Sequence, residues 1–440
     1  MSTTSRQDIC THIEQNQDRM LDFLSELISA QSLPGEEQPA QEVLKDKLSE
    51  FGGSIDVWEP DADDLRDHPG FFETTPYQEH GYEGRENVAT TIDGNGDGPS
   101  LAMSGHVDVV NPDPIDAWEH DPWNPDIDDG RMYGRGTMDM KGGIAAFIHA
   151  YETLRELDIE LAGDLTLQTT IEEEAGGVGG VLSALERGYQ PDAAIIPEPS
   201  GVPKVGVASA GVLYFRVTVP GKPAHAAYKF LGVDAVDKAF QIHQALENYN
   251  DELNERIGDY QPAVNQYAEA EGSSANLTIT DIEVPGSWTS TVPGKAIMEF
   301  RMGWPPSAGM NRNDVREEIT GVIDSVVRED DWLVDNQPEI EWFGWSTDPH
   351  EIDFRSDFYE LVCENTTAVT GGDIQRRGGL GGNDERFYNR YYDIPCPSVG
   401  PNGGNGHGAD EYVEIDSLIE TAQIHALTMV NWCGTVGELE

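Results

Sequence analysis

One short stretch of the chain combines residue types that bind metal ions. His106 and Asp108 follow an apolar run that begins at Leu101. In an extended strand, side chains two residues apart point to the same side, so both groups can face one site. A carboxylate at this spacing can support the second ring nitrogen of a metal-bound imidazole. The pair alone is a weak signal, because buried histidines paired with aspartates are also common structural features.

A second motif, GRGTMDMKGG at residues 134–143, strengthens the case for a metal site. Its glycines surround a single carboxylate, Asp139, where the backbone must turn sharply and pack closely. Because this carboxylate follows His106 and Asp108 in the same stretch, metal binding becomes the favoured interpretation.

Further carboxylates stand where predicted strands end. A predicted strand over residues 164–171 runs into three consecutive glutamates, 172–174, and a glycine pair. Since ligands bind at the carboxyl ends of strands in open α/β sheets, these acids indicate a site and not only a solvated surface. Glu198 follows another apolar run and lies between two prolines. The prolines restrict its backbone, which suits a ligand that must not move.

In order and spacing, these motifs resemble the zinc-dependent amidohydrolases that include acetylornithine deacetylase, succinyl-diaminopimelate desuccinylase, aminoacylase and carboxypeptidase G. The resemblance implies two zinc ions that share Asp139. One zinc takes His106, Asp139 and Glu198, and the other takes Asp139, Glu174 and His407, the last from the motif GHGADEYV. Nitrogen and oxygen ligands without a thiolate suit zinc, and cobalt or manganese are also compatible.

The resemblance also implies the catalytic residues. Asp108 supports the zinc histidine, and Glu173 is the general base. The register of the glutamates leaves one alternative open, in which Glu172 is the base and Glu173 is the ligand. His225, in the motif GKPAHA, matches the family's lid histidine, which reaches the active site of the partner subunit or of its own closed chain.

Two arginines are the implied substrate-binding residues. Arg386 lies in the motif GGLGGNDER, which resembles the family loop whose arginine anchors a substrate carboxylate, and Arg301 stands at the family's usual arginine. A guanidinium suits this task because it binds both carboxylate oxygens at once. Residues 290–293, STVP, depart from the Asn-Val-Ile-Pro of many relatives, so the asparagine amide is missing here.

The elements that must position these residues alternate between strands and helices. Apolar runs predict strands at residues 54–58, 87–92, 101–108, 164–171 and 192–196. We expect 87–92 and 101–108 to be neighbouring strands, and the spacing over 143–157 predicts a helix. Residues 59–85, rich in acids, glycine and proline, predict a surface excursion. The alternation favours an α/β fold, with a zinc-peptidase-like catalytic domain around a mainly parallel central sheet.

The pattern changes near residue 207. From there to 347 the predicted elements follow a β-α-β-β-α-β order, which indicates an inserted ferredoxin-like α+β domain. In the resembled family such an insert serves as a lid and for dimerisation, so the resemblance implies a homodimer. The predicted catalytic domain then comprises residues 1–206 and 348–440, and the lid or dimerisation domain comprises 207–347.

The charge of the chain is strongly negative, with 81 acidic and 27 basic residues and a formal net charge of -54. The acids are spread over segments that look folded, which favours adaptation to a high-salt cytoplasm over a disordered acidic tail. At about 1 M salt the Debye length is roughly 3 Å, so such self-repulsion is largely screened. A surface this negative argues against nucleic acid and anionic membranes as partners. Widely spaced cysteines and the lack of a long apolar run further predict a cytoplasmic protein.

The resemblance implies metal-dependent hydrolysis of the amide bond of an N-acyl amino acid or short peptide. The resemblance is closest to acetylornithine deacetylase and succinyl-diaminopimelate desuccinylase. A dipeptidase or carboxypeptidase with the same metals stays open, as does a metal-bearing binding protein without catalysis. The intact Glu173 weighs against the last alternative, because loss of the base is the simplest route to inactivity.

Overall fold

The computed structural model describes residues 5–286 and 288–437. The α-helices are α1 (Arg6–Gln15), α2 (Gln17–Ser29), α3 (Gln38–Ser49), α4 (Ala62–Leu65), α5 (Thr75–His80), α6 (Lys141–Glu156), α7 (Ser183–Glu186), α8 (Ala235–Ile257), α9 (Gln261–Gln266), α10 (Arg312–Glu329), α11 (Asp357–Thr370) and α12 (Ile415–Cys433). The strands are β1 (Ser54–Trp58), β2 (Asn87–Ile92), β3 (Leu101–His106), β4 (Asp126–Asp128), β5 (Arg131–Tyr133), β6 (Leu165–Thr170), β7 (Ala193–Ile195), β8 (Lys204–Ser209), β9 (Gly211–Pro220), β10 (Asn276–Glu283), β11 (Lys295–Trp304), β12 (Glu339–Thr347), β13 (His350–Glu351), β14 (Gln375–Gly378), β15 (Gly403–Gly404) and β16 (Tyr412–Glu414).

A five-stranded sheet with the order β1-β2-β6-β3-β7 forms the centre of the first unit. Strand β3 is parallel to β6 and β7, whereas β1 and β2 pair antiparallel with each other and β2 pairs antiparallel with β6. The α/β class is confirmed, but the prediction of a mainly parallel sheet is wrong, because the sheet is mixed. Helix α6 carries the chain from β3 back to a parallel β6, while the short link 93–100 between β2 and β3 contains no crossover helix.

Two other predictions about this unit are wrong. Strands β2 and β3 are not neighbours, because β6 lies between them. The segment 59–85 is not only a surface excursion, since it contains α4 and α5 and buries the side chains of Leu65, Tyr82 and Arg85. A buried arginine requires charged partners, and those of Arg85 are the buried carboxylates of Glu37 and Glu172.

Helix α6 anchors the functional edge of the central sheet. Nearly all of its residues from Lys141 to Leu154 are buried, because it packs against the sheet and against α2 and α12. A helix that is apolar all round belongs in a core. Its first residue follows Asp139 by only two positions, so the buried helix fixes the loop that carries this carboxylate.

A four-stranded sheet with the order β10-β11-β9-β12 forms a second unit, and all of its strand pairs are antiparallel. Helices α8 and α10 pack with this sheet around a separate apolar core. The elements from β9 to β12 follow the predicted β-α-β-β-α-β order. The domain boundaries and the role of this unit as a lid or dimerisation domain stay predictions. Within the described residues, no helix combines the length and apolar character needed to span a membrane.

Candidate metal centre

Three neighbouring parallel strands deliver the first ligand candidates to one edge of the central sheet. Strand β3 ends at His106, β6 ends shortly before Glu173 and Glu174, and β7 ends shortly before Glu198. In the ladder between β3 and β6, His106 stands opposite Thr170, so these strand ends are level with each other. The carboxyl edge of the sheet therefore gathers the polar residues that the sequence pattern singled out.

Two groups of possible metal ligands share one carboxylate. The groups are His106, Asp139 and Glu198, and Asp139, Glu174 and His407, with the ligand atoms of each group within 4.8 Å of one another. Nε2 of His106 lies 3.4 Å from Oδ1 of Asp139 and 3.7 Å from Oε1 of Glu198. Nε2 of His407 lies 3.5 Å from Oδ2 of Asp139 and 3.2 Å from Oε2 of Glu174. Each oxygen of Asp139 thus faces a different histidine, as a carboxylate that bridges two cations would.

The surroundings of His106 fit a bound cation. Its Nδ1 donates to the main-chain carbonyl of Asp108 at 2.9 Å, which leaves the lone pair of a neutral ring on Nε2. Nε2 is buried and has no hydrogen-bond partner, although carboxylates surround it. A buried polar atom without a partner needs an explanation, and a metal ion between the ring and the carboxylates supplies one.

The electrostatics of the centre also favour positive charge. Burial opposes protonation of His106, but the nearby carboxylates of Asp139 and Glu173 raise its pKa well above the usual value. Hydrogen bonds to Asp139 and Glu174 raise the pKa of His407 to about 11. Divalent cations held by the same oxygens would meet this demand for positive charge.

Asp108 acts differently from the sequence prediction. Its main-chain carbonyl, and not its carboxylate, holds the ring of His106, and the carboxylate Oδ1 lies 3.6 Å from Nδ1. The carboxylate instead accepts the main-chain N–H groups of Glu173 at 3.1 Å and Glu174 at 3.0 Å. These N–H groups bind both of its oxygens, while Oδ1 stays close enough to the ring for its charge to act on His106. Burial raises the pKa of Asp108 to about 7.

The three glutamates at the end of β6 face different partners. Glu172 adopts a left-handed backbone conformation with φ of 70°, and its buried carboxylate binds Arg85 Nη1 at 2.9 Å and the Tyr82 hydroxyl at 3.0 Å. This contact turns Glu172 away from the ligand groups. The geometry therefore leaves Glu173 and Glu174 as the glutamates that face the centre.

Glu173 lies beside the ligand groups without belonging to either of them. Its Oε2 lies 3.8 Å from Nε2 of His106, and the carboxyl group is buried. Burial raises the pKa of Glu173 well above its usual value, His106 opposes this effect, and the charge of Glu198 adds to it. A carboxyl group with a raised pKa can both accept and return a proton near neutral pH.

Sequence reasoning missed a buried ion pair that joins two ligand loops. Oε1 of Glu411 accepts three main-chain N–H groups from residues 136–139 at 3.0–3.1 Å, and the carboxylate pairs with Arg135. Arg135 also donates to the carbonyl of Gly408 at 2.9 Å, next to His407. Both charged residues lie inside the two quoted motifs, but their pairing across the chain carries no local signal.

A cavity of about 440 Å³ opens onto the centre. It is lined by ligand-group residues together with Tyr214, Arg301 and Trp345. These three residues belong to β9, β11 and β12, so the second unit supplies one wall of the cavity. The predicted substrate-binding Arg301 therefore faces the same space as the ligand groups.

Arg386 does not reach this space. Its side chain is buried, and its guanidinium donates to the main-chain carbonyls of Gly176 and Asn383 and lies over the ring of Phe387. Two of its nitrogens donate to these carbonyls, and its predicted contact with a substrate carboxylate stays a prediction. Arg386 is a structural clamp behind the turn that carries Glu174.

His225 is also outside the cavity. It is exposed at the start of the turn 226–231 in the second unit, and its Nδ1 accepts the main-chain N–H of Ala227 at 3.1 Å. Within one chain it does not line the cavity at the ligand groups. Its predicted action across a dimer stays a prediction.

Comparison with known proteins agrees with this arrangement. Residues 102–431 match Peptidase family M20/M25/M40. The fold is similar to the dipeptidase Dug1p from Saccharomyces cerevisiae, with a TM-score of 0.76, 15% identity and coverage of 98% of this chain and 99% of that chain. Human carnosine dipeptidase 1 gives a TM-score of 0.72, 16% identity and coverage of 97% and 99%. A dinuclear metal-binding M20 peptidase from Bacillus subtilis gives a TM-score of 0.59, 19% identity and coverage of 94% and 98%. Because the family match spans most of the chain, the chain belongs to peptidase family M20/M25/M40.

Proposed function

We propose that this protein hydrolyses the amide bond of an N-acyl amino acid, in a deacylation like that of acetylornithine deacetylase or succinyl-diaminopimelate desuccinylase. The observation that carries the proposal is the pair of ligand groups that share Asp139, next to the buried Glu173 in one cavity. The products are a carboxylate and a free amine.

The centre fits two divalent cations, with zinc as the first choice and cobalt or manganese as compatible alternatives. His106, Asp139 and Glu198 would hold the first ion, and Asp139, Glu174 and His407 would hold the second. When bound, such a pair of ions lowers the pKa of a water molecule and polarises the amide carbonyl.

The residues of the chain then perform the proton transfers and orient the substrate. Glu173 takes a proton from the attacking water and returns it to the nitrogen of the leaving amine. Asp108 holds the main-chain N–H groups of Glu173 and Glu174, which fixes the base relative to the ligand beside it. Arg301 lines the cavity and binds the carboxylate of the substrate through its guanidinium fork.

A dipeptidase is the second candidate function. The structural similarity to two dipeptidases over nearly the whole chain favours it. The two reactions share the scissile amide and the proton transfers, and they differ in whether the acyl group carries an ammonium group.

A matched pair of substrates tests both candidates. N-acetyl-L-ornithine and glycyl-L-ornithine release the same amino acid, but only the second has an ammonium group on the acyl side. Turnover is measured in molar salt with added zinc, and Asp139→Ala serves as the control. A higher kcat/KM for the acetyl substrate supports the deacylase, and the reverse order supports the dipeptidase. If neither these nor succinyl-diaminopimelate, acetyl-lysine and other dipeptides are cleaved by metal-loaded protein, hydrolysis is excluded.

We also propose that the second unit joins two copies of the chain. It exposes several large apolar side chains on the neighbouring segments 226–231 and 288–291, namely Tyr228, Phe230, Leu231 and Trp288. Pairing of this surface would cover it and place His225 at the centre of the partner, where an N–H donor stabilises the developing oxyanion. Such donors contribute about 10²–10³-fold in kcat.

Subunit mixing tests this arrangement. His225→Ala and Glu173→Gln are each expected to be poorly active, since each lacks one group of every site. In a mixed dimer one site regains both groups if His225 acts across the interface, so partial activity returns. Verified mixed dimers without any recovery would contradict action across the dimer.

A further inference from the structure

A second cavity, of about 450 Å³, lies between the two units and away from the metal centre. Its lining includes Arg312 and Arg316 from helix α10, together with Phe72, Trp342 and Phe343. We name it the arginine cleft. The two arginines are four positions apart on the helix, so they project from the same face.

Both guanidinium groups in the arginine cleft are bound to neutral oxygens. Arg312 donates to the carbonyls of Ser346 at 2.7 Å and Pro69 at 2.6 Å. Arg316 donates to the hydroxyl of Ser346 at 2.9 Å, and its Nε is buried and has no hydrogen-bond partner. Two adjacent cations without a bound carboxylate are unexpected in a chain with 81 acidic and 27 basic residues.

Two carboxylates, Glu73 and Glu341, also line the cleft, and both already have other partners. Glu73 pairs with Arg66 at 3.2 Å, and Glu341 pairs with Arg216 at 2.8 Å. A third carboxylate, Asp348, accepts the main-chain N–H of Arg312 and pairs with Arg390 at 3.2 Å. The acids therefore leave the two guanidinium groups of α10 available to an anion from solution.

We propose that the arginine cleft binds an organic carboxylate, whose oxygens lie between Arg312 and Arg316 and whose apolar body packs on the aromatic walls. Planar guanidinium groups match the geometry of a carboxylate. The ring of Trp342 lies 5.2 Å from Cζ of Arg316, so an apolar surface adjoins the charged floor. Aromatic walls favour an organic ligand over inorganic phosphate or sulfate, which would gain nothing from them.

A ligand in this place would bridge the two units. Arg312 and Arg316 belong to the second unit, and Pro69 and Phe72 belong to the first. Phe72 packs so closely on Gly176, just beyond the turn with Glu174, that a Cβ on this glycine would lie 2.3 Å from Cζ of the ring. The cleft is thereby in contact with the turn that carries the ligand Glu174 without sharing the cavity of the metal centre. The inference is independent of the proposed reaction.

Calorimetric titration of the metal-loaded protein with benzoate tests the proposal, with benzamide as a neutral compound of the same shape and sulfate as an inorganic anion. We expect benzoate to bind, and benzamide and sulfate to bind much more weakly. Arg316→Gln should weaken benzoate binding by on the order of 10- to 100-fold, since a hydrogen bond to a charged group is lost. Arg328→Gln is the matched control, because Arg328 lies on the same helix and contacts only the neighbouring Ser325 in the described residues.

Three results would overturn the proposal. The first is benzoate binding that is unchanged in Arg316→Gln, and the second is equal binding of benzamide. The third is a combination of two observations: benzoate binding is lost when the metal ions are removed, and the metal-loaded Arg316→Gln variant still binds benzoate. Benzoate would then occupy the metal centre. Arg316→Lys gives a second measurement if the glutamine variant folds poorly, since an ammonium keeps the charge but not the planar fork.

Discussion

Replacement of Arg85 is expected to disturb the fold and the metal centre together. Its side chain is almost fully buried and pairs with two buried carboxylates. Nε and Nη2 bind the two oxygens of Glu37 at 3.0 Å and 2.5 Å, and Nη1 binds Glu172 at 2.9 Å. Glu172 is the first residue of the turn that carries the proposed base Glu173 and the ligand candidate Glu174, so the network holds this turn from behind.

The structure sets the size of the effect. Arg85→Met removes the cation and leaves two buried carboxylates without their main counter-charge. Loss of one partner from a buried ion pair costs about 3–5 kcal/mol, much more than an exposed pair is worth. The Tyr82 hydroxyl and the N–H of Gly179 still hold Glu172, so the chain should fold, with a displaced turn.

Urea unfolding, metal content and kcat measured together test this prediction. Arg187→Met is the matched control, because Arg187 binds both oxygens of Asp56 but at a partly exposed site. We expect a loss of about 3–5 kcal/mol for Arg85→Met and about 0–1 kcal/mol for the control. Under folding conditions the Arg85 variant should also lose kcat and bind metal more weakly. Equal unfolding free energies for the two variants, or full activity of the Arg85 variant, would refute the reasoning.

The other predictions concern the centre itself. Asp139→Ala should lose both metal ions by elemental analysis, and retention of two ions with near-normal turnover would contradict the shared-carboxylate assignment. Glu173→Gln should keep both ions and lower kcat by about 10²–10⁴-fold, whereas Glu174→Gln should weaken metal binding, and the opposite pattern would exchange their roles. Arg301→Lys should raise KM for acids but not for their amides. Arg386→Lys should lower the unfolding midpoint and leave the difference in KM between acids and amides unchanged. A raised KM for acids alone would support the predicted substrate role of Arg386.

The positions of the candidate ligands were predictable because they follow from local rules. Apolar runs that end in acids or histidine predict strands whose carboxyl ends carry ligands, and β3, β6 and β7 place His106, Glu174 and Glu198 in this way. The glycine-rich motif indicated Asp139, and the resemblance to a family of metal-dependent hydrolases added His407; both lie on loops and not at these strand ends.

The errors concern contacts between segments that are distant in the chain. Strand β6 inserts between β2 and β3, and no property of either run indicates this order. Arg301 and Arg386 both looked suitable for a carboxylate, but one side chain faces the cavity and the other is buried among carbonyls. The contacts of Arg85 were also missed, because it lies in an acidic, glycine-rich segment whose composition predicted an exposed position.

Buried acids outside the ligand groups explain how the loops of the centre are held in place. Asp108 accepts N–H groups of the Glu173–Glu174 turn, Glu172 accepts that of Gly179 at 3.2 Å, and Glu411 accepts three from residues 136–139. None of these three carboxylates belongs to a ligand group, yet Asp108 binds the backbone of Glu174 and Glu411 binds that of Asp139, while Glu172 holds the segment that follows the turn. These buried carboxylates differ from the acidic residues on the surface, because hydrogen bonds within the protein stabilise them and not contact with water. Ligand geometry therefore depends on main-chain contacts within the fold, which orient the oxygens before any cation binds.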